Sequence, residues 1–271
     1  MPVAFRTTNE EIAKALGWHL AAFRRPPRLQ HDSLELALFK REEDEDRDRP
    51  LLSYYRDGRL DYQHESLRVL LLHVLWDLNR LVPERSRDFL AFHAAAVTGP
   101  NGALVLPAPR GTGKSTLTAT LLREGFGYLS DELVPLDPIT RRVYAYPRPI
   151  TLDQQAVQAF AGLEDRLDDG GARGGNQYSR FVRPEDLGAA IAGPAPVQAL
   201  VFIAPRREGR PRLEPIPKAE AVERLAALSM NLYRYAERGI ALLSRVSEAG
   251  GFLLTGGTAS ERAALLKEKL S

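Results

Sequence analysis

The sequence predicts an α/β protein: a mixed sheet carrying helices over residues 89–271, preceded by a small α+β module over residues 1–88. Three observations lead there. Strand-length apolar runs at 89–97, 103–106 and 199–204 are followed by stretches of helical periodicity at 219–228 and 232–246. The run 103–106 passes through a glycine-containing turn at 108–115 directly into a helix-forming stretch at 116–124, a strand-to-helix junction typical of open α/β sheets. With 271 residues, 44% hydrophobic and 27% charged, the chain has enough apolar material for one large domain and an accessory module.

A helical pattern at 9–23 is stopped by Arg24, Arg25, Pro26 and Pro27. Leu34, Leu36 and Leu38 alternate with other residues across 34–39, the period of a half-buried strand. The dense run of mixed charge at 41–49 is expected to be a solvated loop. Runs 51–55 and 60–62 flank Asp57-Gly58, a tight-hairpin signature. An apolar helix over 67–82, closed at Pro83, completes the module.

In the main domain, 89–97 and 103–106 form a second hairpin through the turn-rich loop 98–102. The segment 162–180 carries Gly170, Gly171, Gly174 and Gly175 among charges and is expected to be mobile, a candidate lid or acceptor-binding loop. Strand 199–204 and helices 219–228 and 232–246 follow. A short strand at 252–255 precedes a capping-box pair, Thr258 and Glu261, that starts a terminal helix.

Composition narrows the function classes. The 37 basic and 35 acidic side chains leave a formal charge of +2, too weak a field to favour nucleic acid. Cysteine is absent, which excludes disulfides, thiolate metal sites and a cysteine nucleophile. The start has no signal-peptide pattern, and the segment 67–82 contains His73, Asp77 and Arg80 and is shorter than a membrane span needs, so a cytoplasmic chain with no membrane partner is expected. His19, His31, His64 and His73 have no metal-ligand spacing.

The chemistry concentrates at Ala108-Pro109-Arg110-Gly111-Thr112-Gly113-Lys114-Ser115, followed by Thr116. In such a loop the glycines let backbone N–H groups turn toward phosphate oxygens, and the helix N-terminus adds the positive end of its dipole. Lys114 then reaches the β- and γ-phosphates, and the Ser115 hydroxyl ligates Mg²⁺. Ala108 stands where the strict pattern has glycine, and a small side chain can be accommodated there. ATP with Mg²⁺ is the expected ligand. Past the loop helix, Tyr128-Leu129-Ser130-Asp131-Glu132-Leu133 reads as a strand end bearing two acids: one to hold Mg²⁺, the other to orient or deprotonate a hydroxyl. His93, on the strand before the loop, is a third candidate.

Together, His93-Ala94-Ala95-Ala96-Val97, the phosphate loop, Ser130-Asp131-Glu132 and Pro147-Arg148-Pro149-Ile150 resemble the HPr kinase/phosphorylase family in order and spacing. More closely, they look like HPr-kinase-related bacterial proteins found with peptide-modification systems, including kinases of lasso-peptide precursors. The likeness runs from about Phe89 to the C-terminus. It implies a P-loop sheet of the HPr kinase/PEP carboxykinase type and a kinase acting on a serine-type hydroxyl of a small protein or peptide. It implies His93, Lys114 and Asp131 as catalytic residues and Ser115, Asp131 and Glu132 as metal residues, with Glu132 standing where the family has a second Asp. Arg148 would add a phosphate contact. Two other readings remain open from the residues: a small-molecule kinase, and a nucleotide-sensing scaffold without catalysis. A homo-oligomer is compatible with all three.

Overall fold

In a computed structural model of the chain, the described residues are 3–23, 34–40, 51–86, 88–160, 163, 179–205 and 209–270. They divide into two compact units, one drawn from residues up to Arg85 and the other from Ser86–Leu167 and Phe181–Ser271. The charged run 41–49 and most of the glycine-rich segment 162–180 lie outside the described residues. Among the described residues no helix is long and apolar enough to cross a membrane.

The first unit runs β1 (Val3–Arg6), α1 (Glu10–Leu20), β2 (Leu34–Lys40), β3 (Leu52–Arg56), β4 (Arg59–His64) and α2 (Leu67–Arg85). The Asn9 side chain caps α1 by accepting the Ile12 N–H at 3.0 Å, which satisfies one of the helix's orphan donors. In the four-stranded sheet β1-β2-β3-β4, β1 is parallel to β2 and the other pairs are antiparallel. Leu34, Leu36 and Leu38 are fully buried, as their alternation requires. The β3–β4 turn is made by Asp57 and Gly58, at φ 47° and 77°. α2 does not stop at Pro83 but continues to Arg85. The proline removes one hydrogen bond of the ladder and its ring crowds the carbonyl four residues back, and the helix ends two residues beyond it.

Under this sheet lies a polar cluster. Asp77, 1% exposed, accepts the Tyr54 hydroxyl at 2.9 Å and the guanidinium groups of Arg56 and Arg80 at 3.1 and 2.7 Å. Arg56 also pairs with Asp61, which contacts His73 Nε2 at 3.1 Å. A register irregularity in the β3–β4 ladder sits at this level of the hairpin, next to Asp61.

The second unit is a mixed α/β assembly. Its strands are β5 (Leu90–Gly99), β6 (Gly102–Pro107), β7 (Gly127–Ser130), β8 (Leu133–Leu136), β9 (Arg142–Val143), β10 (Ile150–Asp153), β11 (Ser179–Val182), β12 (Ala195–Ile203), β13 (Arg212–Ile216) and β14 (Gly251–Thr255). Its helices are α3 (Lys114–Arg123), α4 (Gln154–Gln158), α5 (Lys218–Leu228), α6 (Arg238–Val246) and α7 (Ala259–Leu270). The main sheet has the order β13-β14-β12-β6-β5-β8-β9, with β7 also paired to β5, while β10 and β11 pair separately. Parallel pairs β6–β12 and β12–β14 occupy its centre, and antiparallel pairs occupy the β5 side and the β13 edge.

Strand parity assigns each side chain to one of two cores. Ala95, Val97, Leu104, Leu106, Ala199 and Val201 face a layer containing α3 and α7, while Phe92, Ala94, Ala96, Val105, Leu200 and Phe202 face α5 and α6. Only α7 of the C-terminal helices therefore packs on the α3 face. Its start is the expected capping box: Glu261 accepts the Thr258 N–H at 2.7 Å and the Thr258 hydroxyl accepts the Glu261 N–H at 3.3 Å.

Two sequence expectations are corrected here. The β5–β6 hairpin turns on two residues, Pro100 and Asn101, because Gly99 pairs with Gly102, rather than on a five-residue loop. The stretch 232–246 is not one helix. A short 3-10 turn, Leu232–Tyr235, is separated from α6 by Ala236 at φ 43°, a value no α-helix contains. Asn231 fixes that turn to β5 instead, a tertiary contact that overrides the local helical preference.

Candidate active site

The site begins with β5, which is shared by three partners. On one edge, Ala94 to Gly99 pair with β6. On the other, Leu90 to His93 pair with β8 and Ala96 to Thr98 pair with β7. Between those two ladders, where Ser130 faces Ala96 and Leu133 faces His93, the chain leaves the sheet as Asp131-Glu132. β6 and β7 are both antiparallel to β5, so they run the same way, and their carboxyl ends meet at one end of the sheet. The 108–115 loop leaves one and the acids leave the other, at the position where open α/β sheets collect ligands.

From β6 the chain passes through Pro107 and the fully buried Ala108, then through exposed Pro109 and Arg110. Gly111 and Gly113 have φ of 78° and 83°, left-handed values that a side chain would strain. They reverse the chain so that α3 starts at Lys114. The Thr112 hydroxyl donates to the Pro109 carbonyl at 3.0 Å and pins the loop on itself. Ser115 and Thr116 are partly exposed in the first turn, whose backbone N–H groups have no intrahelical acceptors.

Lys114 does not point into solvent. Only 6% exposed, it is 3.2 Å from His93 Nε2. His93 shares the parity of Ala95 and Val97 and so projects on the α3 face. Burial, then the Lys114 ammonium, push the His93 imidazole down to about 4, so at neutral pH it is uncharged and accepts from Lys114. Burial likewise lowers the Lys114 ammonium from its ordinary value, opposed by the charges of Asp131 and Glu132.

Asp131 is the least satisfied group in this region. It is 3% exposed, and neither carboxylate oxygen receives a hydrogen bond of normal geometry. The Ser115 and Thr118 hydroxyls lie close enough to favour its charge, but the Thr118 hydrogen is already committed to the Lys114 carbonyl at 2.9 Å. Burial therefore dominates and raises the carboxyl to about 7, against the pull of Lys114.

His93, Lys114, Ser115 and Asp131 come together, with the charge of Glu132 acting on His93, Lys114 and Asp131. Arg110 acts on His93 and Lys114 through its charge. Arg148 is buried, its carbonyl accepts the Tyr128 hydroxyl at 2.7 Å, and its charge is felt by Tyr128 and Tyr146. Two residues escaped the sequence reading. Thr118 was legible in principle, four residues after Lys114 on one helix face. Asn231 was not, because nothing local marks a contact across 140 residues.

Among the described residues, no group of three or more His, Asp or Glu could hold a metal ion by itself. The donors at hand, a partnerless buried carboxylate beside a serine hydroxyl, suit Mg²⁺, which keeps water and phosphate oxygens among its ligands. Compared with protein-family models and with curated proteins, the chain gives no match.

Proposed function

We propose that this chain binds ATP with Mg²⁺ at the 108–115 loop and transfers the γ-phosphoryl group to a serine-type hydroxyl of a small protein or peptide, as a cytoplasmic kinase of the HPr kinase/phosphorylase-related type. The observation that carries this reading is the Asp131 carboxylate, buried with both oxygens unpartnered beside the Lys114 ammonium and the start of α3. A buried charge without partners costs several kcal/mol and is found where a ligand or reaction uses it. The motif order, with His93, the loop, Asp131-Glu132 and Arg148, adds the family likeness.

In this reading the loop amides and Lys114 bind the triphosphate, with the ammonium released from His93 Nε2 to a phosphate oxygen. Ser115, with Asp131 or Glu132, would hold Mg²⁺, which supplies neutralisation of phosphate charge. Asp131 takes the proton from the acceptor hydroxyl as its oxygen bonds to the γ-phosphorus and the bond to the bridging oxygen of ADP breaks. A carboxyl near 7 suits a base working at neutral pH. His93 stays neutral and positions Lys114 between turnovers.

The test is incubation with γ-labelled ATP, Mg²⁺ and a candidate acceptor peptide, with the phosphate then located by mass spectrometry. Transfer to a serine hydroxyl is expected, with loss in Asp131→Asn. Transfer undiminished in that variant removes Asp131 as the base, and a wild-type chain that binds no nucleotide ends the proposal.

A further inference from the structure

We infer that Asn231 is a positioning residue for the nucleotide site: it clamps the free end of β5 and thereby sets where His93 meets Lys114. The β5–β6 ladder ends where Ala94 faces Pro107, because the chain then departs into the phosphate loop. The part of β5 beyond that point, Leu90 to His93, keeps β8 on one edge but has lost β6 on the other. Leu90, Ala91 and Phe92 are fully buried there, so backbone groups left unpaired would lose water with nothing in exchange.

The segment after α5 fills the gap. Phe92 bridges Ser229, and the Met230 N–H donates to the Ala91 carbonyl at 2.8 Å. Asn231, with no exposed surface, then uses both ends of its amide: Oδ1 accepts the Ala91 N–H at 2.9 Å and Nδ2 donates to the Phe89 carbonyl at 3.0 Å. One side chain thus replaces a missing strand. Ala91 and His93 share a face of β5, so the height and twist fixed at Ala91 are passed two residues on to the imidazole that lies 3.2 Å from Lys114. The strained backbone of Ala236, at φ 43° and ψ −133°, closes the same turn and marks a conformation held by its surroundings.

The inference rests on the nucleotide site proposed above but not on phosphoryl transfer, so its test reads His93 directly. The imidazole of His93 is titrated by NMR in the wild-type chain and in Asn231→Ala. Release of β5 should raise the His93 midpoint from about 4 toward its ordinary value by about one unit or more. Mg·ATP affinity should fall about tenfold in Asn231→Ala, yet change less than about twofold when the same substitution is made in a His93→Asn background. Should Asn231→Ala fail to fold, Asn231→Asp is measured by the same criteria, since it keeps the acceptor for Ala91 and removes the donor to Phe89. A His93 midpoint equal to wild type in the folded variant, or an equal loss of affinity in both backgrounds, overturns the clamp and leaves Asn231 a packing residue. Absence of phosphoryl transfer in the wild-type chain bears on the kinase reading alone.

Discussion

Among the described residues two aspartates are buried, and they are opposites. Asp77, in the first unit, receives a tyrosine hydroxyl and two guanidinium groups. Asp131, in the second, has neither oxygen hydrogen-bonded. Both side chains are almost wholly out of water, at 1% and 3% exposure, so the difference lies in what surrounds them. The protein has supplied Asp77 with everything a buried carboxylate needs. It has left Asp131 with the charge of Lys114 and the nearby Ser115 and Thr118 hydroxyls in support, and burial outweighs them and raises its carboxyl to about 7. A satisfied buried acid holds a structure together; an unsatisfied one is a cost retained for something outside the chain.

The largest expected effect follows from that contrast. Asp131→Asn should lower phosphoryl transfer on the order of 10³-fold, about 4 kcal/mol in barrier, while Mg·ATP still binds; steady-state kinetics with a labelled acceptor would reveal it. Next, Asp77→Asn should destabilise the chain by about 3 kcal/mol, because Arg56 and Arg80 lose their buried counter-charge. Chemical denaturation measures this, and an unchanged midpoint would dissolve the comparison.

The third prediction turns the contrast around, since Asp131→Asn should be more stable than wild type at high pH. The folded carboxyl titrates at about 7, above its ordinary 3.8, so stability from its neutral form is complete below about 4 and is lost as pH rises through 7. The variant, always neutral, should gain on the order of 4 kcal/mol at pH 8 and none at pH 4, as read by thermal melts at the two pH values. The same titration sets the fourth: kcat/KM should fall about tenfold per unit of pH below 7, because only the ionised base accepts the proton. The smallest effect is expected for Tyr54→Phe, which takes one of several partners from Asp77 and should cost about 1 kcal/mol.

Much of this was legible along the chain. Leu34, Leu36 and Leu38 declared a strand by their period, Asp57-Gly58 declared its hairpin, and Thr258 with Glu261 declared a helix start, because each signal is complete within a few residues. Residues 232–246 misled, since their helical periodicity is real but the pull of β5 on Asn231 is stronger than one helical turn. Pro83 misled in the other direction: it costs the ladder one hydrogen bond, yet the helix runs on for two residues.

By itself the sequence determined the chemistry on offer: a lysine and a serine after two glycines that free the backbone, a pair of acids one strand later, and a histidine before them. Only the tertiary structure decided the state of those groups. It set His93 against Lys114 by strand parity and buried Asp131 between two ladders of β5. It also brought Asn231 across 140 residues to hold that strand. Composition and spacing are properties of neighbours in the chain, whereas burial and the field at a carboxylate are sums over everything folded around it.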